Sequence, residues 1–311
     1  MFKSKFFYLL FILVLLSLIY LFYAGVEPSI IMDIRLPRLL SVLMIASILS
    51  ASALLVQTLT LNPIAEMTTL GLAGGSSFAL SLLLFLGISS STIYSYSFSI
   101  IGAFLSLFLL ILVNIKSRFQ LIKLILSGSS LGLFLTSLAT SLSFINHDSQ
   151  SYVRWMAGSF SGVTWEKVIF LLIFLPLFFL PILFFSASIS ALSLGEELAQ
   201  SLGVSLVKIR LLIIFLVAMA TGISVAMVGV ISFVGLISPH IAKRFEQKSF
   251  IKSLFFSNII AMLLLLFSDF LAKTLFFPYE FPTGALTMIF GAGFLIFILL
   301  KSDMLEIKNE I

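Results

Sequence analysis

Few residues of this chain have the type and spacing that enzymatic chemistry requires. Ser205 and Lys208 form the spacing S-x-x-K, which supplies an activated serine in some acyl-transfer enzymes. Residues 146–148 read Asn-His-Asp and suggest a metal ligand or an acid–base pair, but no second histidine is nearby. The run GLAGGSS at 71–77 is rich in glycine, yet no Lys-Ser/Thr pair follows it at the spacing of a nucleotide-binding loop.

Each of these patterns also has a structural interpretation. Ser205 precedes an apolar run, so we interpret it as a helix cap and Lys208 as a flanking charge. We interpret 146–148 as a solvated loop. His240 lies in SPHIAKRF, where we expect Pro239 to break a short helix and the histidine to pack or act at a hinge. We therefore predict no catalytic residue, no metal site and no cofactor on this chain.

The composition indicates a membrane protein. Apolar residues make up 60% of the 311 residues, charged residues make up 10%, and the mean hydropathy is +1.23. Cysteine is absent, which excludes disulfides and thiolate metal sites. The net charge of +5 does not indicate nucleic acid, because the basic residues lie between apolar runs rather than on one polar face.

The apolar runs predict membrane-spanning helices, each of which needs about 20 residues. Eight are clear, at roughly 6–24, 38–60, 93–114, 121–144, 167–187, 206–228, 253–275 and 284–300. Two are weaker, at 67–87 and at 231–242. The first run is longer than the apolar part of a signal peptide, so we expect a retained helix. We predict an all-α polytopic membrane protein with about ten transmembrane helices in a single domain, 1–311.

The basic residues predict the orientation of these helices. With ten spans and the amino terminus inside, the inner segments hold Lys3, Lys5, Lys116, Arg118, Lys123, Lys208, Arg210, Lys243, Arg244, Lys248, Lys252, Lys301 and Lys308. The outer segments hold Arg35, Arg38, Arg154, Lys167 and Lys273. This asymmetry follows the positive-inside rule and places both termini in the cytoplasm.

Polar residues within the apolar runs are few. The carboxylates Glu66, Asp269 and Glu280 all fall near the predicted helix ends, and Gln57 is one of few strongly polar groups within a span. Proton-coupled carriers usually place ionisable groups at mid-membrane. The pattern therefore favours a passive conduit driven from outside the membrane over an ion-coupled secondary transporter.

Glycines recur in pairs with the spacing G-x-x-x-G. For two pairs, Gly71 with Gly75 and Gly128 with Gly132, we predict close packing of helices. For the third, Gly158 with Gly162, we predict a turn.

The charged stretch SLGEELAQSLGVSLVKIR at 193–210 contrasts with the apolar runs around it. Ser193 and Glu196 fit a capping box, and Gly203 is placed to end the helix in the left-handed conformation. One face carries an apolar stripe formed by Leu194, Leu198 and Leu202. A helix of about nine residues is unstable when isolated, so it must lie on its own bundle or on another protein.

Six segments, in order along the chain, resemble one family. They read IRLPRLL (34–40), NPIAEMTTLGLAGGSSFAL (62–80), WMAGSFSGVTW (155–165), LSLGEELAQSLGV (192–204), GVISFVGLISPHIAKRF (229–245) and SDFLAKTLFFPYEFPTGALTMIFGAGFLIFILLK (268–301). Together they resemble the permease subunits of ABC importers for ferric siderophores, haem and cobalamin, the FecCD or BtuC-like type II importers. The resemblance runs from about residue 8 to residue 301.

The resemblance implies a BtuC-like fold of ten helices, a dimer around a central path, and a loop at 188–205 that docks on a cytoplasmic ATPase. ATP and Mg²⁺ would then bind the ATPase and not this chain. The residues expected to contact the ATPase are Gly195, Glu196, Glu197, Ala199, Leu202 and Gly203.

Two further sites follow from the same resemblance. The cytoplasmic gate is expected near Leu121 and Ile122, where the cobalamin importer has small hydroxyl residues instead. Arg35, Arg38 and Lys273 are expected to receive acidic residues of an extracellular substrate-binding protein. Without such a partner, Lys273 would pair with Asp269 four residues earlier.

The resemblance therefore predicts a subunit of a bacterial cytoplasmic-membrane importer that moves a ferric siderophore. Cobalamin or haem remains an alternative cargo, and an ion-coupled secondary transporter is a remote alternative. The expected partners are a second permease, identical or paralogous, two ABC ATPases, the binding protein, the iron chelate and membrane lipid.

Overall fold

The chain folds into a bundle of α-helices. The structure is a computed structural model that describes residues 2–23, 25, 27–88, 92–117, 119–145, 149–246, 249–275 and 277–309. The helices are α1 Phe2–Phe22, α2 Pro28–Ile30, α3 Leu36–Thr60, α4 Leu72–Phe85, α5 Thr92–Asn114, α6 Leu121–Ile145, α7 Ser149–Met156, α8 Trp165–Phe184, α9 Ser186–Leu192, α10 Glu196–Ser201, α11 Leu206–Val228, α12 Val234–Phe245, α13 Phe250–Thr274 and α14 Thr283–Asn309. No β-strand occurs in these ranges, so the predicted all-α class is confirmed.

Seven helices in the described part of the chain are long and apolar enough to cross a membrane. Two shorter apolar helices, Leu72–Phe85 and Thr283–Ile298, add to them. A π-helical turn, Ile31–Arg35, joins α2 to α3, so this span begins earlier than predicted. Each of the eight clear apolar runs corresponds to one of the long helices or to α14, and the two weaker runs correspond to α4 and α12.

The two weaker spans differ from their predictions in detail. The run at 67–87 begins as a 3-10 turn, Met67–Leu70, because Gly71 adopts a left-handed φ of 72° and separates that turn from α4. Pro239 lies inside α12, which continues to Phe245. The expected break at Pro239 is therefore wrong, because α12 packs against α3 and α13 and tolerates the loss of one backbone hydrogen bond. Residues 146–148, interpreted above as a solvated loop, lie outside the described residues.

Burial divides the bundle into central and peripheral helices. Almost every residue of α3 and of the second half of α11 is buried, whereas α1, α6 and α8 expose large apolar side chains along much of their length. An exposed apolar surface of this kind suits contact with lipid or with another membrane subunit. The centre of the chain therefore lies around α3 and α11, with α12 and α13 packed beside them.

Glycines bring α4, α5 and α6 into close contact. A Cβ atom on Gly71 would collide with the backbone of Gly128 and Gly132, and one on Gly75 would collide with the carbonyl oxygen of Gly102. The predicted packing role of the first two G-x-x-x-G pairs is thus confirmed. Gly158 and Gly162 both have left-handed φ values, 66° and 75°, as the predicted turn requires.

The helix α13 connects two groups of polar residues. It has 25 residues and is therefore about 37 Å long, somewhat more than the hydrocarbon layer of a bilayer. Its last turns contact Arg38 at the start of α3, and its first residues lie near the segment that contains Glu196. We call these the Arg38 end and the Glu196 end of the bundle.

Candidate functional site

The segment 185–205 at the Glu196 end consists of two short helices separated by a sharp turn. Gly195, with φ 105°, precedes α10, so this helix has six residues, Glu196–Ser201, rather than the predicted nine. The hydroxyl of Ser193 donates to the carbonyl oxygen of Ser190 at 2.6 Å. The predicted capping box is therefore wrong, because Ser193 belongs to the end of α9 and not to the start of α10.

The end of α10 matches its prediction. Gly203 has a left-handed φ of 80°. Its amide donates to the carbonyl oxygen of Gln200 at 2.9 Å, and the amide of Val204 donates to that of Ala199 at 3.0 Å. These two bonds form a Schellman motif, which satisfies carbonyl groups that the helix end would otherwise leave unpaired.

The apolar stripe on this segment is exposed. Leu194, Leu198 and Leu202 are each more than half accessible to solvent. Adjacent exposed leucines on a polar end of the molecule mark a surface that another protein can cover. Ala199 is fully buried within the chain, so it packs inward in this structure, and its contact with a partner stays a prediction.

One ion pair fixes α10 to the bundle. Nη2 of Arg210 on α11 lies 2.5 Å from Oε1 of Glu196, and the Arg210 side chain is almost fully buried. Glu197, the next residue, is exposed. Sequence reasoning assigned both glutamates to the same partner contact, whereas the structure gives Glu196 an internal role.

A cavity of about 600 Å³ lies beside this segment. Ser190 and Leu194 line one part of it, and Gln57 and Lys243 line another. Nζ of Lys243 lies 3.5 Å from Oε1 of Gln57, and burial lowers the pKa of the Lys243 ammonium. The cavity lies between this segment and parts of α3 and α12.

At the Arg38 end, Asp269 is the centre of a buried hydrogen-bond network. Its carboxylate accepts bonds from Tyr20 Oη at 2.6 Å, from Thr283 Oγ1 at 2.7 Å, and from Nε and Nη2 of Arg38 at 2.8 and 3.0 Å. The expected pair between Asp269 and Lys273 is therefore wrong, because Arg38 occupies the carboxylate with a bidentate contact. Sequence reasoning missed Tyr20 and Thr283, since no local spacing links them to Asp269.

Arg38 has a second carboxylate partner. Its Nη1 donates to both oxygens of Glu280, at 2.9 and 3.0 Å. Arg38 itself is buried, so the guanidinium that was predicted to receive a partner's acidic group is already engaged by this chain. Its docking role stays a prediction, and its observed role is to join α3, α13 and the loop before α14.

Arg35 and Lys273 are more accessible than Arg38. Nη1 of Arg35 donates to the carbonyl oxygens of Leu21 and Tyr23, both at 2.7 Å. Nζ of Lys273 lies 3.4 Å from the centre of the Tyr20 ring and 3.3 Å from the Tyr20 carbonyl oxygen. Both cations line a cavity of about 470 Å³ whose other lining residues include Tyr23, Phe277 and Glu280.

With both ends described, the comparison with known proteins decides the family. Residues 6–301 match the model of the FecCD transport family. The chain belongs to the FecCD transport family.

Relatives within this family include named permeases of importers. The Fe(3+)-citrate import system permease protein YfmD of Bacillus subtilis (strain 168) is 34% identical over 295 residues, which cover 93% of this chain and 87% of that protein. The iron(3+)-hydroxamate import system permease protein FhuB of the same organism is 33% identical, and the alignment covers 87% of this chain and 71% of FhuB. The vitamin B12 import system permease protein BtuC of Vibrio vulnificus (strain CMCP6) is 32% identical, and the alignment covers 89% of this chain and 84% of BtuC.

A solved structure agrees with this membership. A metal-chelate type ABC transporter, determined in an inward-facing conformation, superposes with a TM-score of 0.88 at 29% identity. The alignment covers 97% of this chain and all of that one. The predicted permease fold is therefore confirmed for this FecCD member.

The two residues expected at the gate lie at the start of α6. Leu121 is its first residue, as predicted from the preceding basic residues. Ile122 is 74% exposed and is followed on α6 by further exposed apolar residues, including Leu126 and Leu133. This face of the FecCD chain has no covering helix in the described residues. The gate role of Leu121 and Ile122 stays a prediction.

Proposed function

We propose that this chain is the permease subunit of an ABC importer that carries a ferric chelate across the bacterial cytoplasmic membrane. The observation that supports it best is the exposed leucine stripe on and beside the short helix α10, which the Glu196–Arg210 pair holds at one end of an apolar bundle. A helix of six residues needs a surface to cover. A partner ATPase supplies that surface and binds ATP and Mg²⁺, so the permease needs no catalytic group or cofactor.

Iron chelates are the cargo we favour. YfmD and FhuB, which are named for ferric citrate and ferric hydroxamate, match most of this chain. Cobalamin is the second candidate, because BtuC is similar at nearly the same identity. In either case the cargo would pass between two permease subunits, identical or paralogous, along the exposed faces of the bundle.

The Glu196 end faces the cytoplasm in this proposal, and the Arg38 end faces outward. The basic residues of the predicted inner segments support this orientation, which also places both termini in the cytoplasm. Two ATPases would dock at the Glu196 end. An extracytoplasmic binding protein would dock at the Arg38 end, where Arg35 and Lys273 line an open cavity.

Reconstitution in liposomes tests the proposal. The complete complex, with the ATPase inside the vesicle and the binding protein outside, should accumulate radiolabelled ferric citrate or a ferric hydroxamate only when ATP is enclosed. Labelled cobalamin in parallel vesicles identifies the second candidate. Uptake by the permease alone under an imposed proton or sodium gradient would instead indicate a secondary transporter.

A further inference from the structure

Arg38 is held by two carboxylates whose environments differ. Asp269 is completely buried, and both of its oxygens accept hydrogen bonds from residues on other helices. The side chain of Glu280 is 42% exposed, and its bonds in the described structure go to Nη1 of Arg38 alone. Asp269 is therefore a permanent partner, because its removal would leave the buried cation with only the partly exposed Glu280, whereas Glu280 is exchangeable with solvent or with another anion.

The backbone around Glu280 permits such an exchange. The amide of Phe281 donates to the carbonyl oxygen of Ala272 at 2.9 Å, and the amide of Gly284 donates to that of Gly158 at 3.0 Å. These bonds anchor the chain from Phe281 onward. Residues 277–280, which we call the outer tip, precede this anchor and expose Phe277 (84%) and Tyr279 (80%). Within the described residues, Glu280 supplies the side-chain hydrogen bonds between the outer tip and the helices.

The charges around the tip favour an incoming anion. Arg35, Arg38 and Lys273 bring three positive charges, and Asp269 and Glu280 bring two negative ones. When Glu280 leaves, Nη1 of Arg38 becomes available at the wall of the 470 Å³ cavity that Arg35 and Lys273 also line. Both oxygens of the Glu280 carboxylate lie near Nη1 of Arg38 in the structure. A carboxylate from another protein can adopt the same geometry once Glu280 has left.

We propose that Glu280 is an internal stand-in for a partner's carboxylate, and that an acidic side chain of the docking protein displaces it from Arg38. The proposal rests on the proposed function, in which an extracytoplasmic binding protein docks at this end. Displacement frees the outer tip, so that Phe277 and Tyr279 can turn onto the docked partner. Glu280 thereby sets the affinity of docking: it holds Arg38 occupied until a stronger acidic ligand arrives.

The charge-neutral variant Glu280→Gln tests the sign of this effect. The full chain is placed in phosphatidylcholine nanodiscs, and binding of a fluorescein-labelled hexaglutamate peptide is measured by anisotropy at low salt, with a hexalysine peptide as the control. The variant should bind hexaglutamate about fivefold more tightly than the unmodified chain, equivalent to about 1 kcal/mol, the size of a partly exposed ion pair. Equal or weaker binding by the variant overturns the proposal, because a Glu280 that competes for Arg38 must weaken the binding of an incoming carboxylate.

A second measurement follows the tip itself. The chain contains no cysteine, so Tyr279→Cys carries a single environment-sensitive fluorophore. Hexaglutamate should shift its emission in the direction that Glu280→Gln produces without peptide. An emission that responds to neither change overturns the displacement step.

Two controls accompany these measurements. The first tests whether the gain in affinity is specific to Glu280, and the second tests whether the incoming anion is a protein carboxylate or a lipid phosphate. Asp269→Asn should weaken hexaglutamate binding and lower thermal stability, in contrast to Glu280→Gln, because it removes the permanent partner of Arg38. In nanodiscs that contain phosphatidylglycerol, the difference between Glu280→Gln and the unmodified chain should persist. Its loss there would show that the cavity takes a lipid phosphate, which overturns the proposal of a protein carboxylate. None of these readouts requires transport, so they stand even if the uptake experiment fails.

Discussion

Glu196 and Arg210 join the short helix α10 to the long helix α11, with 2.5 Å between Oε1 of the glutamate and Nη2 of the arginine. Arg210 is buried and Glu196 is half exposed. A six-residue helix has almost no stability of its own, so this pair and the Schellman motif at Gly203 determine where the leucine stripe points. The position of the proposed ATPase-docking surface thus depends on this ion pair and on the Schellman motif.

Glu196→Gln should uncouple ATP hydrolysis from transport. Neutralising Glu196 removes one charged contact of the buried Arg210, at a cost between about 1 kcal/mol, typical of exposed pairs, and about 3 kcal/mol, the lower end for breaking a buried pair. Basal hydrolysis by the complex should remain while its stimulation by the loaded binding protein falls. Glu197→Gln is the matched control, because Glu197 is exposed and outside this pair. Equal effects of the two substitutions would contradict the special role of Glu196.

Gly203→Val should disturb the same surface through the backbone. No atom lies within 4 Å of an added Cβ at Gly203, so the left-handed φ, and not space, limits substitution. A β-branched residue there costs about 1–2 kcal/mol, and stimulation of ATP hydrolysis should be lost while the membrane bundle stays folded. Gly203→Asn, which tolerates this conformation, should retain most of the stimulation. Normal stimulation in the valine variant would remove Gly203 from the coupling site.

Arg35→Glu combined with Lys273→Glu should reduce docking at the Arg38 end. Reversal of two accessible charges removes electrostatic attraction, which acts mainly on the association rate. The rate for the binding protein should fall roughly tenfold or more at low salt, and the difference should shrink as salt rises. Surface plasmon resonance at several salt concentrations measures both effects, with Lys208→Glu at the opposite end as the control. A double variant that associates at the normal rate at low salt would refute docking at this end.

Gly102→Ala should separate α5 from α4. The added methyl group would collide with the carbonyl oxygen of Gly75, and neither glycine has a positive φ, so the effect is steric alone. Overpacking of this kind costs about 1–3 kcal/mol, which should appear as a lower melting temperature in detergent. Gly293→Ala is the matched control, because its site on α14 is open. Similar melting temperatures for the two variants would argue against close α4–α5 packing.

Cysteines at Leu121 and Ile122 should report on the gate. The chain has no native cysteine, so a crosslink between two permease subunits can arise only from the introduced pair. If an apolar constriction closes by excluding water, crosslinking should occur in one nucleotide state and be absent in the other. Gel mobility after mild oxidation measures it, and crosslinking independent of nucleotide would exclude these residues from the gate.

The long elements of the fold could be predicted because each consists of one uninterrupted apolar run, and a run of that length has few alternatives to a membrane helix. The stop at Gly203 was equally local, since only one residue type adopts its φ readily. The capping box predicted at Ser193 is wrong because α10 begins only after Gly195, two residues further along the chain. Local spacing could not reveal which of these two neighbouring residues precedes the helix.

The Arg38 network was beyond local reasoning for a different physical reason. Arg38 and Asp269 are separated by 231 positions in the chain, and only the packing of α3 against α13 brings them together. The spacing of four residues pointed to Lys273 as the partner of Asp269. A buried carboxylate gains more from a bidentate guanidinium than from an ammonium, and Lys273 instead lies over the Tyr20 ring.

The glycine contacts among α4, α5 and α6 limit how this molecule can move. Backbone lies directly against backbone at Gly75 and Gly102 and again at Gly71 and Gly128, so none of the three helices can tilt without dragging its neighbours. A conformational cycle that opens the chain alternately to the two sides of the membrane would have to displace all three as one rigid block. The hinges of that cycle are then expected outside the block, in the connections on either side of it.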